Sequence, residues 1–275
     1  MKRIAALVLA LGLCLSISAC GGKNSLWEAA APSQSVLELY YYDGESGWLG
    51  WISDLEEEQK ILKDLSAVKA KQVENWSPAS LTYPVYGISI GTEDGLGVLA
   101  SWTDGHIVMR DGSVYEFDYD FDALAGAYDW DEKYTVSSVS AMPCGRYLAQ
   151  DGEQWIAAHL QPAGELKQPE NITMELLSNE DGVMTVALTN SGGEEWVFGE
   201  YYALEVLLDG VWYSVPPMPT NNWGFNDIAW LLAPGETREE SCSLEMYGEL
   251  PAGSYRLVKE GLSVEFSVQD NTAET

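Results

Sequence analysis

Two histidines occur in the chain, and neither stands in a recognisable catalytic pattern. His106 and His159 lie far apart, and the sequence has neither an HExxH motif nor a Gly-rich strand-to-helix loop. Cys144 and His159 could form a thiol–imidazole pair, but no cation closer than Arg146 stands near Cys144 to lower its pKa. The sequence therefore predicts a protein that is not an enzyme, and a hydrolase with a carboxylate pair is the less favoured alternative.

Three aspartates, Asp118, Asp120 and Asp122, alternate with Tyr119 and Phe121. On a strand this alternation would place the three carboxylates on one face, about 7 Å apart along the chain. Clustered carboxylate oxygens bind Ca²⁺, but the run lacks the Gly and Glu of an EF-hand loop. A polar strand face whose aromatic residues turn inward explains the same spacing, so no metal and no cofactor are expected.

The chain contains 11 tryptophans, and some of them could form a platform for sugar rings. Trp48 and Trp51 fall in one predicted loop, and Trp223 falls in another beside Phe225. Exposed indole rings have an apolar face and a polar edge, which suits carbohydrate. Packing in the core is the alternative role for these rings. Together with the three aspartates, these tryptophans are the candidate ligand-binding residues.

The first twenty residues indicate where the protein is located. Lys2 and Arg3 precede the apolar run Ile4–Ile17, which is too short to span a bilayer about 30 Å thick but fits a secretory signal peptide. The residues that follow, Ser18-Ala19-Cys20, resemble the lipobox of bacterial lipoproteins. That resemblance implies a diacylated Cys20 and anchoring at the extracytoplasmic face of the cell membrane. An ordinary cleaved signal peptide is the alternative.

The charge of the chain excludes several classes of partner. The formal net charge is −29, and removal of residues 1–19 leaves 12 basic against 43 acidic residues, a net charge of −31. Such a charge repels phosphate backbones and anionic lipid head groups. We therefore expect no nucleic acid and no polybasic docking to lipid, but an unknown protein or cell-wall partner.

Cysteine is scarce in the mature chain. Cys14 leaves with the signal peptide and Cys20 is the predicted lipid site, so only Cys144 and Cys242 remain. In an oxidising compartment these two residues could form a disulfide. Two isolated, buried, reduced thiols are the alternative.

Hydrophobic patterning divides the chain into a signal peptide (1–19), a lipidated tether (20–35) and two domains (36–160 and 170–268). In the first domain, a capping box at Ser53 opens a helix predicted to end near Val73. Two Asp-Gly pairs separate the three strands of an antiparallel meander. The first domain is therefore predicted to be α+β, with the helix lying on the sheet. The predicted strands are 36–42, 86–91, 98–102, 106–110 and 113–119, with short helices at 123–128 and 154–160.

The second domain follows a Pro-bounded linker, Gln161–Pro169, and reads as short strands separated by turns. Seven or more short strands in about 100 residues predict an all-β sandwich of immunoglobulin type. The predicted strands are 172–177, 183–190, 196–198, 202–208, 211–215, 228–232, 239–246, 254–259 and 262–268.

The segment Tyr247–Lys259 (YGELPAGSYRLVK), with Val183–Asn190 and Leu208–Tyr213, resembles a bacterial Ig-like domain family over residues 170–268. The resemblance implies the C-terminal domain of a secreted lipoprotein or membrane sensor, mostly of Gram-positive bacteria. It implies no catalytic residues.

These observations together predict a non-catalytic binding, structural or sensory lipoprotein at the cell surface. A binding protein for a small ligand, a cell-wall glycan or Ca²⁺ is the alternative function.

Overall fold

The computed structural model describes most of the chain outside its two ends. The described residues are 24–28, 30, 37–91, 97–128, 130–219 and 224–269. Among them, no helix is long and apolar enough to cross a bilayer. The predicted signal peptide, Cys20 and Trp223 lie outside the described residues.

The N-terminal domain is built on one antiparallel sheet. Its strands are β1 (Leu37–Tyr42), β2 (Gly47–Ile52), β3 (Ala70–Val73), β4 (Val85–Ile90), β5 (Val98–Thr103), β6 (His106–Met109), β7 (Val114–Phe117) and β8 (Asp131–Val136). Their spatial order is β3-β7-β6-β5-β4-β1-β2-β8. Strands β5 to β7 confirm the predicted meander, because Gly105 and Gly112 supply the positive φ at its two turns.

Helix α1 (Leu55–Ala67) confirms the predicted helix but is shorter at both ends. The carboxylate of Asp54, rather than the hydroxyl of Ser53, accepts the capping hydrogen bond from the Glu57 N–H, at 3.0 Å. The helix ends at Ala67 rather than near Val73, because residues 70–73 pair with β7 as edge strand β3. The prediction of a longer helix was therefore wrong, since strand pairing outweighed helical propensity there.

Side chains of α1 cover one face of the sheet, as predicted. Ile61, Leu62 and Leu65 are buried against sheet residues in a core that also includes Trp27 and Phe121. The short helix α2 (Phe121–Ala125) covers the same face. It begins two residues before the predicted helix at 123–128 and overlaps it. This face of the sheet thus carries the larger of the two N-terminal cores.

A second core on the opposite face was not predicted. Residues 139–149, ending in the short helix α3 (Gly145–Ala149), pack Val139, Met142 and Leu148 against the sheet. Gly87 permits this approach, because a Cβ there would lie 2.6 Å from the Pro143 ring. The Ser101 hydroxyl also donates to the Pro143 carbonyl. The sheet is therefore covered on both faces.

The C-terminal domain is all-β, as predicted. Its strands are β11 (Ile172–Glu180), β12 (Val183–Asn190), β13 (Trp196–Gly199), β14 (Ala203–Leu208), β15 (Val211–Ser214), β16 (Ala229–Leu232), β17 (Thr237–Ser243), β18 (Gly253–Lys259) and β19 (Leu262–Val268). They form the sheets β11-β12-β17 and β15-β14-β18-β19 and the pair β13-β16. Buried side chains from all three groups, including Leu188, Leu204 and Leu232, form one core. The mixed fold class is therefore confirmed.

One connecting segment, residues 145–163, belongs structurally to both domains. Leu148 lies in the second N-terminal core, whereas the adjacent Ala149 and the later Leu160 lie in the C-terminal core. Between them are strands β9 (Gln150–Asp151) and β10 (Gln154–Trp155) and a 3₁₀ turn over Ala157–His159. The short helix predicted at 154–160 is therefore replaced by β10 and the 3₁₀ turn. The segment that joins the two domains in the sequence therefore also packs into the core of each.

The start of the predicted linker continues this attachment. Gln161 and Ala163 pair with strand β15: Ser214 N–H donates to the Gln161 carbonyl at 2.9 Å, and Ala163 N–H donates to the Trp212 carbonyl at 2.8 Å. Backbone pairing of this kind fixes the chain as it enters the C-terminal domain.

We predict that Leu160→Ala destabilises the C-terminal domain by about 2–5 kcal/mol, although residue 160 precedes that domain in the sequence. Leu160 is 3 % exposed in the C-terminal core, so truncation leaves a cavity there. Urea unfolding monitored by circular dichroism measures the change in the free energy of unfolding. Leu177→Ala, at a 50 % exposed position, is the matched control and should change it by less than about 0.5 kcal/mol. Equal effects of the two variants would contradict the shared core.

Candidate binding surfaces

Trp48 and Trp51 lie on strand β2, so the prediction that they occupy a loop was wrong. Residues three apart on a strand point to opposite faces of a sheet. Trp48 accordingly stacks on Tyr41, with ring centroids 5.5 Å apart, whereas Trp51 donates to Glu38 on the other face. The structure therefore separates the two tryptophans that the sequence analysis placed in one candidate site.

Trp48 is part of an aromatic cluster beside α2. The Tyr41 ring lies 5.4 Å from Tyr86 and 5.9 Å from Trp130, in addition to its contact with Trp48. Tyr86 in turn stacks on Phe121 at 5.7 Å. Trp48 and Trp130 are half-buried. This cluster serves mainly to pack α2 against the sheet.

The three candidate aspartates do not share a strand face, because β7 ends at Phe117 before the first of them. Asp120 caps α2 by accepting from the Ala123 N–H at 2.9 Å, and Asp122 accepts from the Tyr86 hydroxyl. Asp118 lies in the connection between β7 and α2. Asp120 and Asp122 thus have structural partners. Over the described ranges, no three His, Cys, Asp or Glu side chains are grouped closely enough to hold a metal ion.

On the other face of the sheet, Trp51 begins a row of four side chains that crosses four strands. Strand register places Trp51 opposite Glu38, Glu38 opposite Ser89, and Ser89 opposite Leu99. Directly opposite residues lie on the same face, so these four side chains form one line, here called the Trp51 row. Three strand spacings give the row a length of about 14 Å.

The Trp51 row is partly exposed and its acidic member is held in place. Trp51 is 40 % exposed, and Glu38, Ser89 and Leu99 are half-buried. The Glu38 carboxylate accepts from the Tyr40 hydroxyl at 3.1 Å and from the Trp51 indole N–H at 3.4 Å. A carboxylate has about four acceptor positions, so Glu38 can accept further hydrogen bonds from a ligand. The sequence analysis missed Glu38 and Ser89, since only the strand register shows that they adjoin Trp51.

The remaining tryptophan candidate, Trp223, cannot be assigned a surface because it lies outside the described residues. Its neighbour Phe225 packs edge-on against Tyr201 and Tyr202, with ring centroids 5.2 and 5.0 Å apart. Phe225 therefore supports the C-terminal domain.

Cys144 and Cys242 are both free and buried, each in the core of a different domain. Burial raises the pKa of the Cys144 thiol strongly and raises the pKa of Cys242 to about 11. Both thiols are therefore protonated and unreactive at neutral pH. This agrees with isolated thiols, the alternative to a disulfide.

Neither histidine adopts a catalytic arrangement in the structure. The buried His159 ring places Nδ1 2.7 Å from the Leu148 carbonyl oxygen, and the His106 ring places Nδ1 2.9 Å from the Asp104 carbonyl oxygen. Each contact holds a histidine ring against a backbone carbonyl close to it in the sequence. The raised pKa of Cys144 further disfavours a thiolate for the thiol–imidazole pair.

Residues 168–274 match the family model of the bacterial Ig-like domain, which confirms the resemblance found in the sequence. Such a domain indicates a surface-associated or binding module. No curated protein and no solved structure matches the chain.

We predict that the folded protein loses stability at alkaline pH, in part through Tyr86. Burial, reinforced by the hydrogen bond to Asp122, raises the pKa of Tyr86 above the ordinary value of about 10. The contribution of Tyr86 to the free energy of unfolding is therefore complete below about pH 10, the pKa in the unfolded state. It is lost as the pH rises through the folded-state pKa.

Tyr86→Phe should reduce the slope of the free energy of unfolding against pH above about pH 10. Urea unfolding at several alkaline pH values measures that slope. Tyr201→Phe, which changes a ring that is 61 % exposed, is the control. An unchanged slope in Tyr86→Phe would contradict the prediction.

Proposed function

We propose that the protein is a non-catalytic lipoprotein of the extracytoplasmic membrane surface whose two domains act as one binding module. The observation that carries this proposal is the shared segment 145–163, which contributes side chains to the cores of both domains. A module held in this way presents its N-terminal sheet in a fixed position relative to the Ig-like domain. The family match to a bacterial Ig-like domain supports a surface-associated or binding role.

Two contacts between the domains strengthen the same argument. Arg110 Nε donates to the Pro219 carbonyl at 2.8 Å, and Arg146 Nη2 donates to the Glu249 carbonyl at 2.7 Å. Both guanidinium groups come from the N-terminal domain, and both acceptors lie in connections of the C-terminal domain. A domain that served only as a flexible spacer would not need these bonds.

The proposed anchor rests on the sequence of the first twenty residues. The apolar run Ile4–Ile17 ends in Ser18-Ala19-Cys20, which places a thiol at the predicted cleavage point. Two acyl chains on Cys20 would be sufficient for stable anchoring.

We expect the wild-type protein to enter the detergent-rich phase when membranes are extracted with a phase-separating detergent, because Cys20 carries acyl chains. Cys20→Ala should prevent lipid modification, and mass spectrometry of the N-terminal peptide should show the acyl mass only in the wild type. Cys242→Ala, which removes a buried thiol, is the matched control. An unmodified N-terminal peptide in the wild type would contradict the anchor.

A glycan chain is the ligand that the Trp51 row favours, and glycan binding is the second candidate function. The indole ring offers an apolar face to sugar C–H groups, while Glu38 and Ser89 offer hydrogen-bonding groups to sugar hydroxyls. The hydrogen bond between Trp51 and Glu38 holds the ring before a ligand arrives, which lowers the entropy lost on binding.

We predict that Trp51→Ala weakens glycan binding about tenfold, the effect of losing roughly 1.4 kcal/mol of ring contact. Titration calorimetry with a soluble N-acetylglucosamine hexamer, cellohexaose and a purified peptidoglycan glycan strand measures the dissociation constant. Trp48→Phe, on the opposite face of the same strand, is the matched control and should bind as the wild type does. Absence of binding to all three probes, or an equal loss in both variants, would contradict the glycan role.

A further inference from the structure

The first described residues of the chain are fixed to the C-terminal end of α1. The Asn24 side-chain amide donates to the Leu65 and Val68 carbonyls at 2.7 and 2.9 Å, and the Asn24 N–H donates to the Ser66 carbonyl at 2.9 Å. Trp27 follows and is buried in the core beneath the helix, at 3 % exposure. These contacts lie inside the stretch 20–35 that was predicted to be a flexible tether.

Three residues separate Asn24 from Cys20 in the sequence. Four consecutive Cα–Cα steps span at most about 14 Å. Given the proposed anchor at Cys20, Asn24 lies within that distance of the acylated residue, and the C-terminal end of α1 is in direct contact with Asn24. This step rests on the proposed function, and it fixes which part of the protein is closest to the bilayer.

The same end of the molecule carries a concentration of positive charge. Between residues 60 and 73 there are four lysines and one acidic residue, Asp64, within a mature chain whose net charge is −31. We call the four lysines the lysine surface: Lys60, Lys63, Lys69 and Lys71. All four are exposed, and Lys60 and Lys63 lie on the outer side of α1, away from the buried Ile61, Leu62 and Leu65.

The lysine surface is available to an external partner. Lys71 pairs with Glu116 at 3.0 Å, but their side chains are 76 % and 56 % exposed, so this ion pair contributes little and can be exchanged. Most other basic side chains in the described part of the chain form hydrogen bonds or ion pairs within the protein. Arg110 and Arg146 hold the domain contact, Arg256 pairs with Glu205 at 2.6 Å, and the Lys259 ammonium donates to the Gly199 carbonyl.

We infer that the lysine surface contacts the anionic phospholipid head groups around the anchor and so orients the protein on the membrane. This inference departs from the expectation, drawn from the net charge, that the protein does not dock to anionic lipid. Screening at physiological salt limits each charge to a range of about 8 Å, so the local charges rather than the net charge decide the contact. Only the charges nearest the bilayer act on it, and in residues 60–74 and the paired strand β7 these are the four lysines together with the exposed Asp64, Glu74 and Glu116. Basic residues beside a membrane anchor bind anionic lipid in this way.

This orientation directs the Trp51 end of the Trp51 row away from the membrane. Strand β3, which carries Lys71, is at one edge of the sheet, and β2, which carries Trp51, is six strand positions away. Six strand spacings correspond to about 29 Å. A protein that rests on its β3 edge therefore presents β2 and β8 outward.

A spin label on Ala67→Cys tests the contact in the lipidated, full-length protein. Ala67 is an exposed residue at the end of α1, and the native Cys144 and Cys242 are buried and stay unlabelled. The protein is reconstituted in vesicles of phosphatidylcholine, with or without phosphatidylglycerol, that contain a lipid with a nickel-chelating head group. We expect the electron-spin relaxation rate of the label to be severalfold higher when phosphatidylglycerol is present, because the label then lies closer to the nickel ions held at the head groups. Salt at about 1 M, where the Debye length is about 3 Å, should reverse the increase.

Two further variants are matched to this measurement. Charge reversal of Lys60, Lys63 and Lys69 to Glu should abolish the increase, whereas Lys167→Glu, at an exposed position on the linker, should leave it unchanged. A label on Val211→Cys, in the C-terminal domain, should show no dependence on phosphatidylglycerol.

The outcomes separate this inference from the proposed anchor. Protein that does not remain on either vesicle contradicts the anchor at Cys20. The lysine contact alone is overturned if the protein remains bound but the relaxation rate of its label does not depend on phosphatidylglycerol. It is also overturned if the charge-reversal variant shows the same increase as the wild type. Binding of wild type, but not of the charge-reversal variant, to soluble polyglycerol phosphate without any lipid response would also overturn it, in favour of an anionic wall polymer.

Discussion

The contact that the two-domain arrangement depends on is the burial of Arg146 between the domains. Arg146 is 2 % exposed, and its guanidinium lies 4.2 Å from the centre of the Trp155 ring and donates to the Glu249 carbonyl. Burial lowers the pKa of Arg146 to about 10, so the group is still charged at neutral pH. Trp155 continues the contact by donating to the Tyr255 hydroxyl, which donates to the Pro251 carbonyl. A buried cation without a carboxylate is costly, and Arg146 Nη1 is buried without a hydrogen-bond partner. The ring and carbonyl partners offset part of that cost, and they do so only while both domains are in place.

Local sequence signals predicted most of the strands because their causes are local. Asp-Gly pairs set the meander turns, and alternating apolar residues with regular turns set the nine strands of the C-terminal domain. Features that depend on distant partners were not predictable. Strand β3 follows a helical pattern and exists because β7 pairs with it, and residues 139–149 cover the sheet because Gly87 leaves room for Pro143.

The candidate site follows the same rule. Trp51 was predicted as a ligand-binding residue from its type, but the row that it belongs to requires the register of β1, β2, β4 and β5. The aspartates at 120 and 122 were predicted as oxygen ligands from alternation, whereas the chain uses them to cap α2 and to hold Tyr86. Acidic residues favour helix N-termini for electrostatic reasons, so an acidic run directly before an apolar helix is weak evidence for a metal site.

The attachment of Asn24 to α1 also bears on how long such a protein stays on the cell. A protease has to bind its substrate as an extended segment of several residues, and exposed segments are its preferred sites. Only residues 21–23 lie between the proposed acylated cysteine and Asn24, the first described residue, and a segment cut beyond Trp27 is released only when Trp27 leaves the core. Release by proteolysis therefore depends on local unfolding of the N-terminal domain, which links the lifetime of the surface-bound protein to the stability of its fold.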